Sequence, residues 1–259
     1  MNAGERDELL IQLKLVELRD TGQILPSLGR IESVKLMTEY RNLPTPTDIA
    51  ILQEISETDL AQLAVEVGIH KAGAFLKADV VINGIGVSLK SLRKGPPAIV
   101  NHTSRPGFER AADYCGVNIN DLDVLIADYW RLRLAGTITE DTRNTDSYSP
   151  FANHKSILKP YLNYFLFKGT GSKLSDLPSE YILSFSDPLN IATWRLFNQS
   201  EAVDDIWGGL VFSLRSKKGM PPGYPNVTAR YSDVLPSIRM WTREIAGDYR
   251  GALHIRSTR

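Results

Sequence analysis

The stretch Lys77-Ala78-Asp79-Val80-Val81-Ile82-Asn83-Gly84-Ile85-Gly86-Val87-Ser88-Leu89-Lys90 decides how the chain is read. Two runs rich in β-branched residues flank Asn83-Gly84. Both residues of that pair tolerate the positive φ that a two-residue hairpin turn needs. The spacing predicts a hairpin with Asp79 paired near Ser88 on adjacent antiparallel strands. Side chains alternate with period two along a strand, so Ser88 and Lys90 share a face. The three groups then converge at one end of the hairpin. A carboxylate there can hold a hard divalent cation such as Mg²⁺. A nearby ammonium can orient a water or stabilise a phosphorane-like transition state. A solvated hairpin edge has the same composition.

Around the hairpin the chain alternates between helical and extended patterns. Glu8 to Leu18 carries Leu9, Leu10, Leu13, Val16 and Leu18 at the spacing of an amphipathic helix. Thr47-Asp48 can open a second helix, and Glu57 to Val67 reads as a third that stops at Gly68. A short strand is predicted over Pro96 to Asn101. Helices follow over Arg105–Tyr114, Asp121–Leu134 and Ser156–Leu166. Tyr181–Phe185 and Leu210–Arg215 read as strands, and Gly219–Pro225 as a Gly/Pro loop. The pattern is that of an α/β fold: a mixed central β-sheet with the hairpin in it, flanked by helices. The expected organisation is a single domain over 1–259, with a helical N-terminal subregion (1–60) and a basic C-terminal segment (213–259).

The 259 residues hold 30 Lys+Arg and 30 Asp+Glu, a formal net charge of zero. That total conceals a strong asymmetry. Ser213 to Arg259 carries nine basic residues against three acidic ones, and Glu66 to Arg110 carries seven against three. Basic clusters of this kind are solvated surface or a footprint for nucleic acid. No apolar run approaches the length of a membrane span. The charged opening residues do not resemble a signal peptide. The single Cys115 excludes an internal disulfide and a multi-cysteine zinc site. A reducing, cytoplasmic setting is expected.

Asp79 followed by Ser88-Leu89-Lys90 resembles the Asp…(Asp/Glu)-x-Lys signature of the PD-(D/E)xK nuclease superfamily, with Ala78 in place of the proline and Ser88 in place of the second acid. The wider block around it and Pro97-Ala98-Ile99-Val100-Asn101-His102-Thr103-Ser104-Arg105 are similar to type II restriction endonucleases, with a looser similarity to the MjaI group. The resemblance implies a restriction-endonuclease-like fold in a prokaryotic cytoplasm. It implies Mg²⁺-dependent, sequence-specific hydrolysis of double-stranded DNA within a restriction-modification system. Asp79 would be the principal metal ligand and Lys90 would orient the attacking water. Ser88 cannot replace a charged ligand, so the second acid is sought on a helix, first at Glu66 and then at Glu109. DNA contacts are expected from Lys71, Lys77, Asn101, His102, Thr103, Arg105, Arg215, Lys217 and Lys218, since phosphates are neutralised by Lys and Arg and base edges are read by Arg and Asn. A homodimer follows if the target is palindromic. Two rivals are a sequence-specific DNA-binding protein without catalysis and a metal-dependent hydrolase of a small phosphate ester.

Overall fold

The computed structural model describes residues 1–44, 49–73, 75–93, 98–215, 235–242 and 252–257. In chain order the elements are α1 (Ala3–Asp20), β1 (Ile24–Leu25), β2 (Gly29–Arg30), β3 (Val34–Lys35), α2 (Ile49–Glu54), α3 (Glu57–Val67), β4 (Val80–Ile82) and β5 (Ile85–Ser91). Then come β6 (Ala98–Thr103), α4 (Arg105–Cys115), α5 (Ile119–Leu134), α6 (Lys155–Asn163) and a π-helical turn (Tyr164–Lys168). The remainder is β7 (Tyr181–Phe185), β8 (Arg195–Asn198), α7 (Gln199–Ile206), β9 (Leu210–Arg215), a helix over Leu235–Thr242 and β10 (Ala252–Ser257), with single 3₁₀ turns before β8 and β9. These elements form two compact units: Met1–Lys94 with Ser175–Ala202, and Gly95–Leu174 with Val203–Arg259.

The first unit is built on a mixed five-stranded sheet of order β3-β4-β5-β7-β8. All neighbours are antiparallel except β5 and β7, which run parallel. The hairpin forms as the Asn83-Gly84 pair dictates, with φ of 52° and 83° at the two turn residues. Its ladder pairs Val80 with Val87 and Ile82 with Ile85. Extending that register by one residue sets Asp79 opposite Ser88. The Asn83 side chain also fastens the turn to the chain before β3. Its Oδ1 accepts from the Glu32 and Ser33 amides (2.8 and 3.2 Å), and its Nδ2 donates to the Arg30 carbonyl (2.8 Å).

Helix α1 packs on this sheet and on α3. It begins earlier than the apolar spacing predicts. Asn2 accepts from the Glu5 amide, and Glu5 Oε2 accepts from the Asn2 amide (both 3.0 Å), a capping box that starts the helix at Ala3. Nor is its burial confined to one stripe: Ile11, Leu13, Leu15, Val16 and Leu18 are all fully buried. They join Leu60, Ala64 and Val67 of α3 and Val80, Ile82, Val87 and Leu89 of the hairpin in one core. Asp79, Ser88 and Lys90 occupy the alternate positions, and so belong to the opposite face of the hairpin. Helix α3 spans Glu57–Val67 and ends at Gly68 with φ 84°, as its sequence predicts.

In the second unit, β6-β10-β9 form an antiparallel sheet. Phe108 of α4 packs against Tyr161, Phe165 and Trp241 at centroid distances of 4.9–5.8 Å. Strand β10 was not visible in the sequence pattern. It is the middle strand, and its Leu253, His254 and Ile255 are buried. Part of the basic C-terminal segment is therefore core rather than surface. The predicted opening at Thr47-Asp48, the start of the predicted strand at Pro96–Pro97 and the Gly219–Pro225 loop lie outside the described residues. No described helix is long and apolar enough to cross a membrane.

Candidate active site

Asp79 stands immediately before β4, where its amide donates to the Val87 carbonyl (2.9 Å). Its side chain turns to the neighbouring strand. Oδ2 accepts from Ser88 Oγ (3.1 Å) and from the Leu89 amide (2.7 Å). Oδ1 accepts nothing from the described residues. The carboxylate is thus fixed in orientation with one oxygen left for a ligand. Ser88, buried, acts as a donor that orients Asp79.

Lys90, two residues along β5, is half-buried, and its ammonium makes no ion pair or hydrogen bond with the described residues. It lies within electrostatic reach of two further groups. One is Lys77, whose backbone amide is held by Ser175 Oγ (2.8 Å) and the Leu177 carbonyl (3.1 Å). Burial, and then the Lys90 charge, push the Lys77 amine down to about 8, with Asp79 pulling the other way. The other is Glu8. Burial, followed by repulsion from Asp79, holds the Glu8 carboxyl above the usual range, while Lys90 and Lys71 oppose the shift and Glu5 adds to it.

Glu8 is an acid that the sequence reading did not single out, and its charge acts on Asp79. Its neighbour Asp7 is anchored to the hairpin. Asp7, buried, accepts from Ser91 Oγ (2.7 Å) and from an Arg93 guanidinium nitrogen (2.9 Å), which pins the first turns of α1 to the end of β5. Glu66, the residue expected in this role, is exposed on α3 and accepts from Gln62 Nε2 (3.0 Å). Glu109, the other candidate, is exposed in the second unit and accepts from Arg105 (3.2 Å). In the sequence Glu8 is one more polar position on an apolar helix, and no local signal sets it apart.

The expected DNA-contacting residues divide. Lys77 joins the site. Lys71 is exposed beside it and donates to Glu5 Oε1 (2.6 Å). Thr103 and Arg105 belong to the second unit and are engaged within it. A Cβ on Gly107 would fall 2.5 Å from the Thr103 methyl, so that side chain is packed against the start of α4. The Arg105 guanidinium clasps Asp123 from two nitrogens (2.9 and 2.7 Å), and Asp123 also accepts from Trp241 Nε1 (3.0 Å). The side chains of Asn101, His102 and Arg215, and the whole of Lys217 and Lys218, lie outside the described residues.

The donor set suits a hard divalent cation. The Asp79 carboxylate offers one oxygen that accepts nothing from the described residues, and Glu8 is near enough for the two charges to repel each other. Among the described residues no group of three or more His, Cys, Asp or Glu side chains is placed to hold a metal. A two-carboxylate set leaves the other positions to water and substrate phosphate, which is how Mg²⁺ is usually held.

The fold and the site define a mixed α/β protein carrying Asp79, Ser88 and Lys90 on one face of a β-hairpin. No protein-family model, curated protein or solved structure matches the chain.

Proposed function

We propose that the protein is a Mg²⁺-dependent endonuclease that hydrolyses double-stranded DNA at specific sequences, a type II restriction endonuclease with a restriction-endonuclease-like fold. The observation that carries this reading is the Asp79 carboxylate. It is held by Ser88 and the Leu89 amide with one oxygen left over, Lys90 lies on the same face of the hairpin, and the Glu8 charge acts on it.

In this reading Asp79 Oδ1 and the Glu8 carboxylate hold the cation. When bound, Mg²⁺ supplies a Lewis acid at the phosphoryl oxygens and acidifies water. The Lys90 ammonium, free of protein partners among the described residues, hydrogen-bonds the attacking water and aligns it with phosphorus. Its positive charge also stabilises the charge that develops on the phosphoryl oxygens. Ser88 and the Leu89 amide keep the Asp79 carboxylate from rotating, so the geometry is set before substrate arrives. The products are a 5′-phosphate and a 3′-hydroxyl. The basic stretches at 66–110 and 213–259 supply phosphate neutralisation, and two copies of the chain match the two halves of a palindromic target.

The test is incubation of the purified protein with plasmid and Mg²⁺. Discrete fragments are expected, and Asp79→Ala or Lys90→Ala abolishes them while salt-sensitive DNA binding persists. Full Mg²⁺-dependent cleavage by Asp79→Ala overturns the reading. A gel shift with no cutting by the wild-type protein assigns the chain to non-catalytic DNA binding instead.

A further inference from the structure

The first unit holds a cavity of about 330 Å³, within the range of small-molecule sites, and it shares no lining residue with the Asp79 cluster. It opens beyond the carboxyl ends of β5 and β7, the one parallel pair of the five-stranded sheet. The Leu92 amide donates to the Phe185 carbonyl (2.9 Å) and ties those two strand ends together. Open α/β sheets bind ligands outside the carboxyl ends of parallel strands. The lining includes Arg6 and Leu10 of α1, Arg93 beyond β5, and Asp187, Pro188 and Leu189 beyond β7.

Two guanidiniums face one space here, and each is fixed from behind. Arg6 Nη2 donates to the Ile55 carbonyl (2.8 Å), and Arg93 Nη1 donates to Asp7 Oδ1 (2.9 Å). Asp7 answers the Arg93 charge, whereas Arg6 makes no ion pair with the described residues. Arg6 also stands near the start of α1, where the helix dipole disfavours a cation, so helix stability does not account for it. Opposite them Asp187 is held rigidly. Its amide donates to Thr193 Oγ1 (3.1 Å), its carbonyl accepts from Trp194 Nε1 (3.1 Å), and its Oδ1 accepts from the Leu189 amide (2.9 Å). Oδ2 accepts nothing from the described residues. Leu10 and Leu189 belong to the core and give the cavity a fixed apolar floor.

We propose that this cavity binds a small phosphomonoester bearing hydroxyl groups, with Arg6 and Arg93 on the phosphate and Asp187 accepting from a hydroxyl. The inference goes beyond the nuclease reading and does not rest on it. A phosphomonoester carries nearly two negative charges and three terminal oxygens, which two guanidinium forks can meet in register. A bare anion would be repelled by Asp187, so the ligand needs donors at its other end. Hydroxyls supply them, as in a sugar phosphate.

The test is isothermal titration calorimetry on the full chain without Mg²⁺, with ribose 5-phosphate, inorganic phosphate and ribose as probes. Ribose 5-phosphate is expected to bind with a Kd of about 1 mM or tighter, inorganic phosphate more weakly, and ribose not measurably. Arg6→Gln keeps a donor for the Ile55 carbonyl and is expected to weaken ribose 5-phosphate about tenfold or more. Asp187→Asn keeps the acceptor for the Leu189 amide and is expected to weaken ribose 5-phosphate while leaving inorganic phosphate unchanged. Far-UV circular dichroism checks that both variants are folded. Unchanged affinity in folded Arg6→Gln overturns the inference, because the phosphate then sits elsewhere. The wild-type protein decides independently of any variant: failure to bind ribose 5-phosphate, or equal binding of ribose, overturns it. None of these outcomes bears on cleavage of DNA, which the plasmid assay reads separately.

Discussion

Replacing Asn83 by alanine tests the turn that sets Asp79 opposite Ser88. Asn83 sits at φ 52°, and its side chain makes three bonds to the chain between Arg30 and Ser33. Those bonds are partly exposed, and each contributes about 0.5–1 kcal/mol net. Alanine also resists the left-handed conformation that asparagine and glycine accept, which adds about 1 kcal/mol. The expected loss is therefore about 2.5–4 kcal/mol for Asn83→Ala, against about 1.5–3 kcal/mol for Asn83→Gly, which loses the bonds but not the conformational freedom. Equilibrium urea denaturation reads both. With a slope near 3 kcal/mol/M, the alanine variant's midpoint falls by about 1 M at unchanged slope, and the glycine variant's falls by less. Equal midpoints for the two variants would refute the conformational part of the reasoning. A shift below about 0.3 M for Asn83→Ala would refute the part played by the side-chain bonds.

Glu8→Gln is expected to slow Mg²⁺-dependent cleavage by about a hundredfold or more, as loss of a metal-holding carboxylate does, while Glu66→Gln stays within about twofold of wild type; initial rates on plasmid decide between them. Because the folded-state pKa of Glu8 is raised, the folded state binds its proton more tightly and stability falls as pH rises through that pKa. Glu8→Gln should then melt above wild type at neutral pH and converge with it in acid, as followed by calorimetry. Lys77 runs the other way: its pKa is lowered from 10.5 to about 8, so the unfolded chain binds more protons between those values and stability rises with pH across that window. Lys77→Met should flatten that part of the pH–stability curve. In the second unit, Asp123→Ala strips the acceptor from both Arg105 and Trp241 and is expected to cost about 2–4 kcal/mol in chemical denaturation.

The residues of the hairpin carry their own instructions. Asn83-Gly84 fixes the turn, the turn fixes the register, and the register sets Asp79 against Ser88 with Lys90 two places on, all within fourteen residues of chain. Local chemistry likewise determines α3 and its Gly68 stop, and most of α4 and α5, because caps and apolar spacing act over one or two turns. Strands β8 and β10 were not legible. β8 is short, and β10 (Ala252–Ser257) lies within a segment whose charge dominates its reading; each is a strand because a neighbour offers it a ladder. The proposed second carboxylate, Glu8, likewise depends on the tertiary fold. Glu8 lies 71 positions before Asp79 in sequence. Its charge acts on Asp79 because α1 buries its leucines on the sheet and Asp7 locks to Ser91 and Arg93. The raised Glu8 carboxyl and the lowered Lys77 amine are consequences of that packing. Burial and neighbouring charge shift a pKa, and both depend on which distant segments the fold brings together.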